Sequence, residues 1–470
     1  MFWEIEKFAK SRAGLYDAAE DRFISYAELI ERVAAVEKLM GSSQKLLVAL
    51  MCDNSAASIV AYLATLRAGH AVMLTNASTD ASLKRRICEI YAPEIVLCCG
   101  GKLEAPDGYV TVESPVNGLE IAFAEKPNTT AILAETAVLL STSGTTGSPK
   151  LVRLSYRNIQ ANAESIVQYL AINADETAIT SLPLSYSYGL SVLNSHLLAG
   201  ASLACTNASV VTKEFWSLFT DNRCTSFAGV PFSYGMLEQL RFERMNLPSL
   251  RTMTQAGGRL AIEKAKLFGE IAQRKRFRFF VMYGQTEATA RISYVPWERL
   301  TEKAGAIGIA IPGGSLRLVR NGLEVAEPHV EGEIVYSGPN VMLGYAETRA
   351  CLAKKDELNG TLHTGDLGYW DAEGFYYITG RLKRFIKVFG LRLNLDEVEK
   401  MIESALCKRV ACAGQDENLH MIIESGSDAD VAAARGKVIS LYKLHHSAVH
   451  VARVDSLPVT ASGKKNYTTI

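Results

Sequence analysis

Apolar residues fall along this chain in short runs of strand length, separated by stretches of helical periodicity. The runs at 46–51, 71–75, 137–140, 178–182, 202–205, 226–229, 250–254 and 277–282 are nearly continuous in apolar or small residues. Strands of that kind are buried on both faces, so alternation with helices predicts parallel sheets covered on both sides. The first helix has a capping-box start, Ser25 with Glu28, and then Leu29, Ile30, Val33, Val36 and Leu39 share one face. A second helical pattern begins at Ser55, and Gly69 is placed to end it.

From about residue 304 the texture changes to short runs broken by glycine, as in GEIVYSGPNVMLGY and DAEGFYYITG, which predicts antiparallel structure. After Gly380 a new unit begins with a hairpin-like FIKVFGLRLN and a helix capped by Asn394, with Glu397 at its third position. Two short strands, a helix around 432–442 and a final strand follow. The expected fold is α/β, with a large N-terminal body (1–380) of doubly wound parallel sheets. That body includes an antiparallel β subdomain at about 303–380, and a small α+β domain spans 381–470. No flexible linker is visible, so the joint near Arg381 and Lys383 must be tight.

Composition narrows the function. In 470 residues, 50 Lys plus Arg balance 50 Asp plus Glu, and 48% are hydrophobic. That is ordinary for a globular protein, and it argues against a nucleic-acid binder, which gains affinity from a basic excess. No apolar run is long enough to span a membrane, and the start MFWEIEKFAK lacks a signal-peptide core. Nine scattered cysteines without a Cys-x-x-Cys pair suggest a reducing cytosol, hence a cytoplasmic location. His446 and His450 have helical spacing but no third ligand nearby in sequence, so they read as a solvated pair.

The densest chemistry lies at 141–150, STSGTTGSPK, after a strand-like run. Small residues let backbone N–H groups approach an anion, hydroxyls add donors, and Lys150 offers a mobile positive charge. This is a phosphate loop by composition, yet not a Walker loop. Gly144 and Gly147 are too close together, and Leu151 stands where a magnesium-binding hydroxyl belongs.

The stretch resembles the phosphate loop of the adenylate-forming superfamily of acyl-CoA synthetases, aryl-CoA ligases, luciferases and peptide-synthetase adenylation domains. Further segments match in order: Tyr283-Gly284-Gln285-Thr286-Glu287, Gly332-Glu333-Ile334 with Gly344-Tyr345, Thr364-Gly365-Asp366, Gly380-Arg381-Leu382-Lys383, and Pro458-Val459-Thr460 with Ser462-Gly463-Lys464. The resemblance covers nearly the whole chain. It implies ATP-dependent conversion of a small carboxylic acid to acyl-AMP with release of pyrophosphate, then transfer to a thiol.

The roles it implies are specific. Thr142, Ser143, Gly144, Thr145, Thr146, Gly147 and Lys150 would hold phosphates. Gly257, Gly258 and Arg259 would line the adenine site, with Tyr283 stacked on the base beside Gly284 and Gln285. Glu287 would hold Mg2+, and Thr286 would hydrogen-bond the α-phosphate or the substrate carboxylate. Asp366 would accept from the ribose hydroxyls, supported by Arg381. Lys464 would bridge the attacking carboxylate and the α-phosphate, and Lys383 would be the hinge of a mobile small domain. The loop with Lys387 and Gly390 would serve the thioester step. The ligand sites would lie at the carboxyl ends of parallel strands.

Departures from the family pattern bear on the acid and the acceptor. The segment 183–191 corresponds to the family's substrate pocket, with Tyr186, Ser187, Tyr188, Gly189, Val230 and Gln255 as wall candidates. Tyr186 stands where many CoA ligases carry histidine. Gly189 stands where amino-acid adenylation domains carry the aspartate that pairs the substrate ammonium. An unpaired buried ammonium is costly, which disfavours α-amino acids and favours an uncharged acyl, aryl or hydroxy acid. Coenzyme A is the expected acceptor; the ending Gly463-Lys464-Lys465-Asn466-Tyr467 equally resembles enzymes that load the phosphopantetheine of a carrier protein. The last ninety residues hold fourteen Lys/Arg against ten Asp/Glu, a surplus that suits either partner. A nucleotide-binding sensor without catalysis would not need Lys464.

Overall fold

The computed structural model describes residues 1–8, 12–17, 20–103, 106–141, 150–382, 384–388, 391–415, 417–442, 444–459 and 465–467; positions 385, 387, 391 and 392 are described in backbone only. The capping box at Ser25 is made. Ser25 Oγ accepts from the Glu28 N–H at 3.2 Å, the Glu28 carboxylate accepts from the Ser25 N–H at 2.7 Å, and helix Tyr26–Leu39 follows. Ser55 caps helix Ala56–Arg67, whose residues from Ala56 to Leu66 are all buried. Such a helix, apolar on every face, has to lie between layers.

Two sheets enclose it. In one, Leu47–Cys52 pairs in parallel with both Ala71–Asn76 and Ile95–Cys99, and Thr136–Ser141 joins Ala71–Asn76 in parallel. In the other, Arg278–Tyr283, Thr252–Gln255, Ser226–Gly229, Thr177–Ile179, Ser202–Ala204 and Ala13–Asp17 run parallel in that spatial order. One core of buried residues joins Leu15, Ile24 and Leu203 of the second sheet to Val48, Leu50 and Leu74 of the first through the intervening helices. The doubly wound α/β body is therefore as expected, and the strand positions agree within a residue or two except for Thr177–Ile179, which stops short of 182.

Antiparallel edges were not foreseen. Leu151–Ser155, Leu119–Ala124 and Tyr109–Val112 pair antiparallel at the borders of the first sheet, and Arg22–Ser25 and Ser293–Tyr294 do so on the second. Apolar periodicity shows burial rather than strand direction, and the largely exposed Tyr109–Val112 carries little periodic signal.

By contacts the chain divides into residues 1–315 with 337–362, and residues 316–336 with 363–470. The second unit has antiparallel pairs such as Val319 with Glu324 and Asp366 with Arg381. It also contains a three-stranded sheet, Val410–Gln415, Asn418–Glu424 and Val449–Val454, packed on helices Leu395–Leu406 and Asp428–Tyr442. Asn394 caps the first of these helices, accepting from the Asp396 and Glu397 N–H groups at 2.9 and 3.4 Å. His446 and His450 share no helix. His446 opens a 3-10 turn, whereas His450 lies on the last strand with its ring 4.8 Å from that of His420. Their spacing is a coincidence of a turn running into a strand. Among the described residues, no helix is long and apolar enough to cross a membrane.

Candidate active site

The nucleotide-site candidates of the first unit sit at the carboxyl ends of its parallel strands. Gln255 ends strand Thr252–Gln255 fully buried, and its Nε2 donates to the Ala256 and Gly258 carbonyls at 3.1 and 2.9 Å. This braces a turn in which Gly257 has φ +82°. A Cβ at Gly257 would meet Tyr186 Oη at 2.5 Å and Val230 Cγ1 at 3.0 Å, so these three expected residues form one tight corner. Gly258 passes beside Pro231, and Arg259 is exposed.

Tyr186 precedes helix Ser187–Ala199, whose buried face is largely small or apolar. At Gly189 a Cβ would lie 2.3 Å from the Pro183 carbonyl oxygen. The backbone of 182–183 thus occupies the space an aspartate would need, which gives the departure from the amino-acid pattern a steric cause. Burial pushes the Tyr186 and Tyr188 hydroxyls up to about 12, against the opposing charge of Arg291. Tyr188 Oη hydrogen-bonds Thr254 Oγ1 at 2.8 Å.

The segment 283–291 leaves its strand and returns. At Gly284 a Cβ would fall 1.7 Å from the Ala290 carbonyl oxygen, so the loop closes only over glycine. Thr289 and Ala290 adopt φ +52° and +87°, a region that costs energy without glycine. Buried Asn340 holds them there: its Nδ2 donates to the Ala288 and Arg291 carbonyls at 2.7 and 2.8 Å, and Thr289 Oγ1 donates to its carbonyl at 2.6 Å. On this loop Thr286 Oγ1 lies 3.2 Å from Ser187 Oγ. Gln285 Nε2 donates to Tyr283 Oη at 3.1 Å.

Glu287 Oε1 accepts from Tyr345 Oη at 2.9 Å, and Lys150 Nζ stands 3.6 Å from the centroid of the same ring. Burial, then the Glu287 carboxylate, pushes the Tyr345 hydroxyl well above its usual value. Tyr345 therefore joins the end of the phosphate-loop sequence to the carboxylate. Magnesium keeps water and phosphate oxygens and takes one or two protein carboxylates. Glu287 as a hard oxygen donor fits that demand, while no cluster of three or more metal-ligating side chains occurs among the described residues.

In the second unit, Asp366 and Arg381 are cross-strand neighbours, with Arg381 Nε donating to the buried Asp366 Oδ1 at 2.9 Å. Lys387 pairs with Arg392 in the backbone of a hairpin. Residues 142–147, which include Thr142, Ser143, Gly144, Thr145, Thr146 and Gly147, together with Lys383, Gly390 and Lys464, lie outside the described residues. The frame around Lys464 is described. Val459 bridges Lys465, the Asn466 N–H donates to the Pro458 carbonyl at 2.8 Å, and Lys465 Nζ reaches Glu399 and Glu403 at 2.9 and 2.8 Å. Tyr467 Oη also donates to Glu399, and its ring carries the Arg384 guanidinium at 3.7 Å. Burial draws the Lys465 ammonium down, but the two glutamates outweigh it and its pKa is raised.

Asn340, Arg291 and the bridging role of Tyr345 were missed. Asn340 lies some fifty positions from the turn it braces, and only the polar Arg291 inside ATARISY offered a signal.

A family model described as AMP-binding enzyme matches residues 2–346. The chain belongs to this AMP-binding enzyme family. It is 27% identical to the indoleacetate-CoA ligase of Aromatoleum aromaticum, across 94% of this chain and 92% of that enzyme. It is 30% identical to the 2-succinylbenzoate-CoA ligase of Bacillus subtilis, across 70% and 67%. Among solved structures, the O-succinylbenzoate coenzyme A synthetase of Bacillus subtilis with AMP aligns at TM-score 0.78 and 23% identity, covering all of this chain and 97% of that one. ATP-bound MatB of Rhodopseudomonas palustris aligns at TM-score 0.78 and 24% identity, with the same coverage.

Proposed function

We propose that the protein is an AMP-forming acid-CoA ligase: it activates a carboxylic acid with ATP, releases pyrophosphate and passes the acyl group to coenzyme A. One observation carries the site reading: the chain of contacts from Lys150 through Tyr345 to Glu287, next to Thr286 and Ser187 at the strand ends. A cation, a carboxylate and hydroxyl donors thus surround one place where phosphate charge can develop. In-line attack of a carboxylate on the α-phosphorus is helped by positioning and charge stabilisation, with little need of a base. Lys150 and residues 142–147 bind phosphates, Thr286 orients the α-phosphate or the acid, and Tyr283, Gly257 and Gly258 flank the base. Glu287 holds magnesium, which when bound neutralises phosphate oxygens. In the second unit, Asp366 positioned by Arg381 takes the ribose hydroxyls, Lys464 serves adenylation, and the loop of Lys387 and Gly390 serves thioester formation about a hinge at Lys383.

The CoA ligases among the relatives favour coenzyme A over a carrier protein as acceptor. A cytoplasmic location agrees with coenzyme A as co-substrate. The test is a panel of carboxylic acids scored for acid-dependent AMP and pyrophosphate, then for the acyl-CoA product. Release of ADP and phosphate, or ATP binding without any acid-dependent AMP, would overturn the reading.

Tyr345→Phe removes one hydrogen bond to Glu287 while keeping the ring under Lys150. It is expected to raise KM for magnesium-ATP by roughly 5- to 10-fold, about the worth of one hydrogen bond, with little effect on Tm. Lys465→Met leaves Glu399 and Glu403 without their ammonium partner. A loss of about 1–3 kcal/mol in the stability of the second unit is expected in urea unfolding. Pyrophosphate release should fall with it, because the segment next to Lys464 loses its anchor on Glu399 and Glu403.

A further inference from the structure

Arg291 is 1% exposed, and the partners of its guanidinium are neutral. Nε and Nη2 donate to Ser191 Oγ at 3.2 and 3.1 Å, Nη1 meets Met282 Sδ at 2.6 Å, and Cζ lies 4.2 Å from the Tyr188 ring centroid. Among the described residues, no carboxylate stands within ion-pair distance of it. The two other buried arginines among the described residues behave differently: Arg153 is paired with Glu357 at 2.7 Å and Arg349 with Glu94 at 2.6 Å. A buried cation without a counter-ion is costly, and proteins otherwise pair it or replace it with an apolar side chain.

Arg291 also borders a narrow cavity, together with Val192, Ser195, His196, Ala228 and Thr254. His196 brings no negative charge: its ring hydrogen-bonds the Val192 carbonyl at 2.8 Å, and burial holds its pKa down. Glu176, at the same cavity, is engaged by Thr225 and by Arg251 at 3.8 Å. Ser191, which holds the guanidinium, is one helical turn beyond Ser187, which touches Thr286. The two points therefore lie about 5–6 Å apart along one helix face.

We infer that Arg291 is the receptor for a second anionic group on the acid, so that the pocket takes a short-chain dicarboxylic acid. This rests on the proposed activation of a carboxylic acid at Thr286. A carboxylate is the planar partner that a guanidinium binds through two hydrogen bonds, and its arrival neutralises the buried charge. The same cation repels the ammonium of an α-amino acid. An anionic tail takes the place of the uncharged acid favoured by the sequence.

The test compares succinate and glutarate with their monomethyl esters and with butyrate, by pyrophosphate release and by thermal shift in the presence of ATP. The wild type should prefer the diacids in kcat/KM by on the order of 100-fold. Arg291→Gln should lose that preference through KM for the diacid, so that the ratio of diacid to monoester kcat/KM falls toward 1 while the KM for ATP changes little. Without any acid, Arg291→Met should keep or raise Tm, whereas an arginine needed only for folding would lower it. Monoesters or butyrate turned over as well as diacids, or an equal loss of both in a folded Arg291→Gln protein, would overturn the inference and leave acid activation standing. Conversely, diacid-dependent stabilisation lost in Arg291→Gln, with no AMP formed from any acid, would support the anion site and remove the proposed reaction.

Discussion

With Lys464 replaced by alanine, acid-dependent exchange of pyrophosphate into ATP is expected to fall by roughly two to three orders of magnitude. Transfer of the acyl group from preformed acyl-adenylate to coenzyme A should stay close to wild type. The asymmetry follows from the charge each step develops. Joining a carboxylate to the α-phosphorus brings anionic oxygens together, and one ammonium between them lowers that barrier. Attack of a thiol on an acyl-adenylate places charge elsewhere. The fold should survive, because the flanking residues are anchored by Lys465 on Glu399 and Glu403 and by Tyr467 on Glu399. Equal loss of both half-reactions, with unfolding curves unchanged, would remove Lys464 from the adenylation step.

Glu287→Gln is expected to lower kcat/KM for ATP by roughly 100- to 1,000-fold and to raise the magnesium concentration needed for half-maximal rate. The substitution is nearly isosteric, and the amide oxygen can still accept from Tyr345, so the contact at 2.9 Å is kept while the charge is lost. The loop itself is held by Gly284 and by Asn340 through backbone groups, which the change leaves alone. Tm should therefore move by no more than a surface substitution would cause. A variant of wild-type activity with an unchanged magnesium profile would show that Glu287 is not the metal carboxylate.

The parallel strands were legible because a strand buried on both faces must be apolar throughout, as in Leu47–Cys52 and Ser226–Gly229. Helix starts were legible because caps are local, and Ser25, Ser55 and Asn394 each bond the N–H groups their spacing predicts. The loop after Tyr283 was legible only as a motif. Its shape depends on a glycine packed against a carbonyl six residues later and on an asparagine from a distant segment, and neither contact leaves a periodic trace. Gln255 is a pocket-wall candidate by sequence, and the structure adds two bonds from its side chain that hold the turn of Gly257.

What the sequence determined by itself was the class of fold and of chemistry. Burial imposes hydrophobic runs, and a phosphate-binding segment needs small, hydroxylated and cationic residues close together in the chain. The tertiary structure decided which distant groups meet: Lys150 with Glu287 through Tyr345, Gly189 against the 182–183 backbone, and Arg291 against Ser191 and Tyr188. An arginine in a sequence is a surface charge until its surroundings are known. Only the fold shows that this one is buried among neutral partners, because whether a charge has a counter-ion depends on distances between residues far apart in the chain.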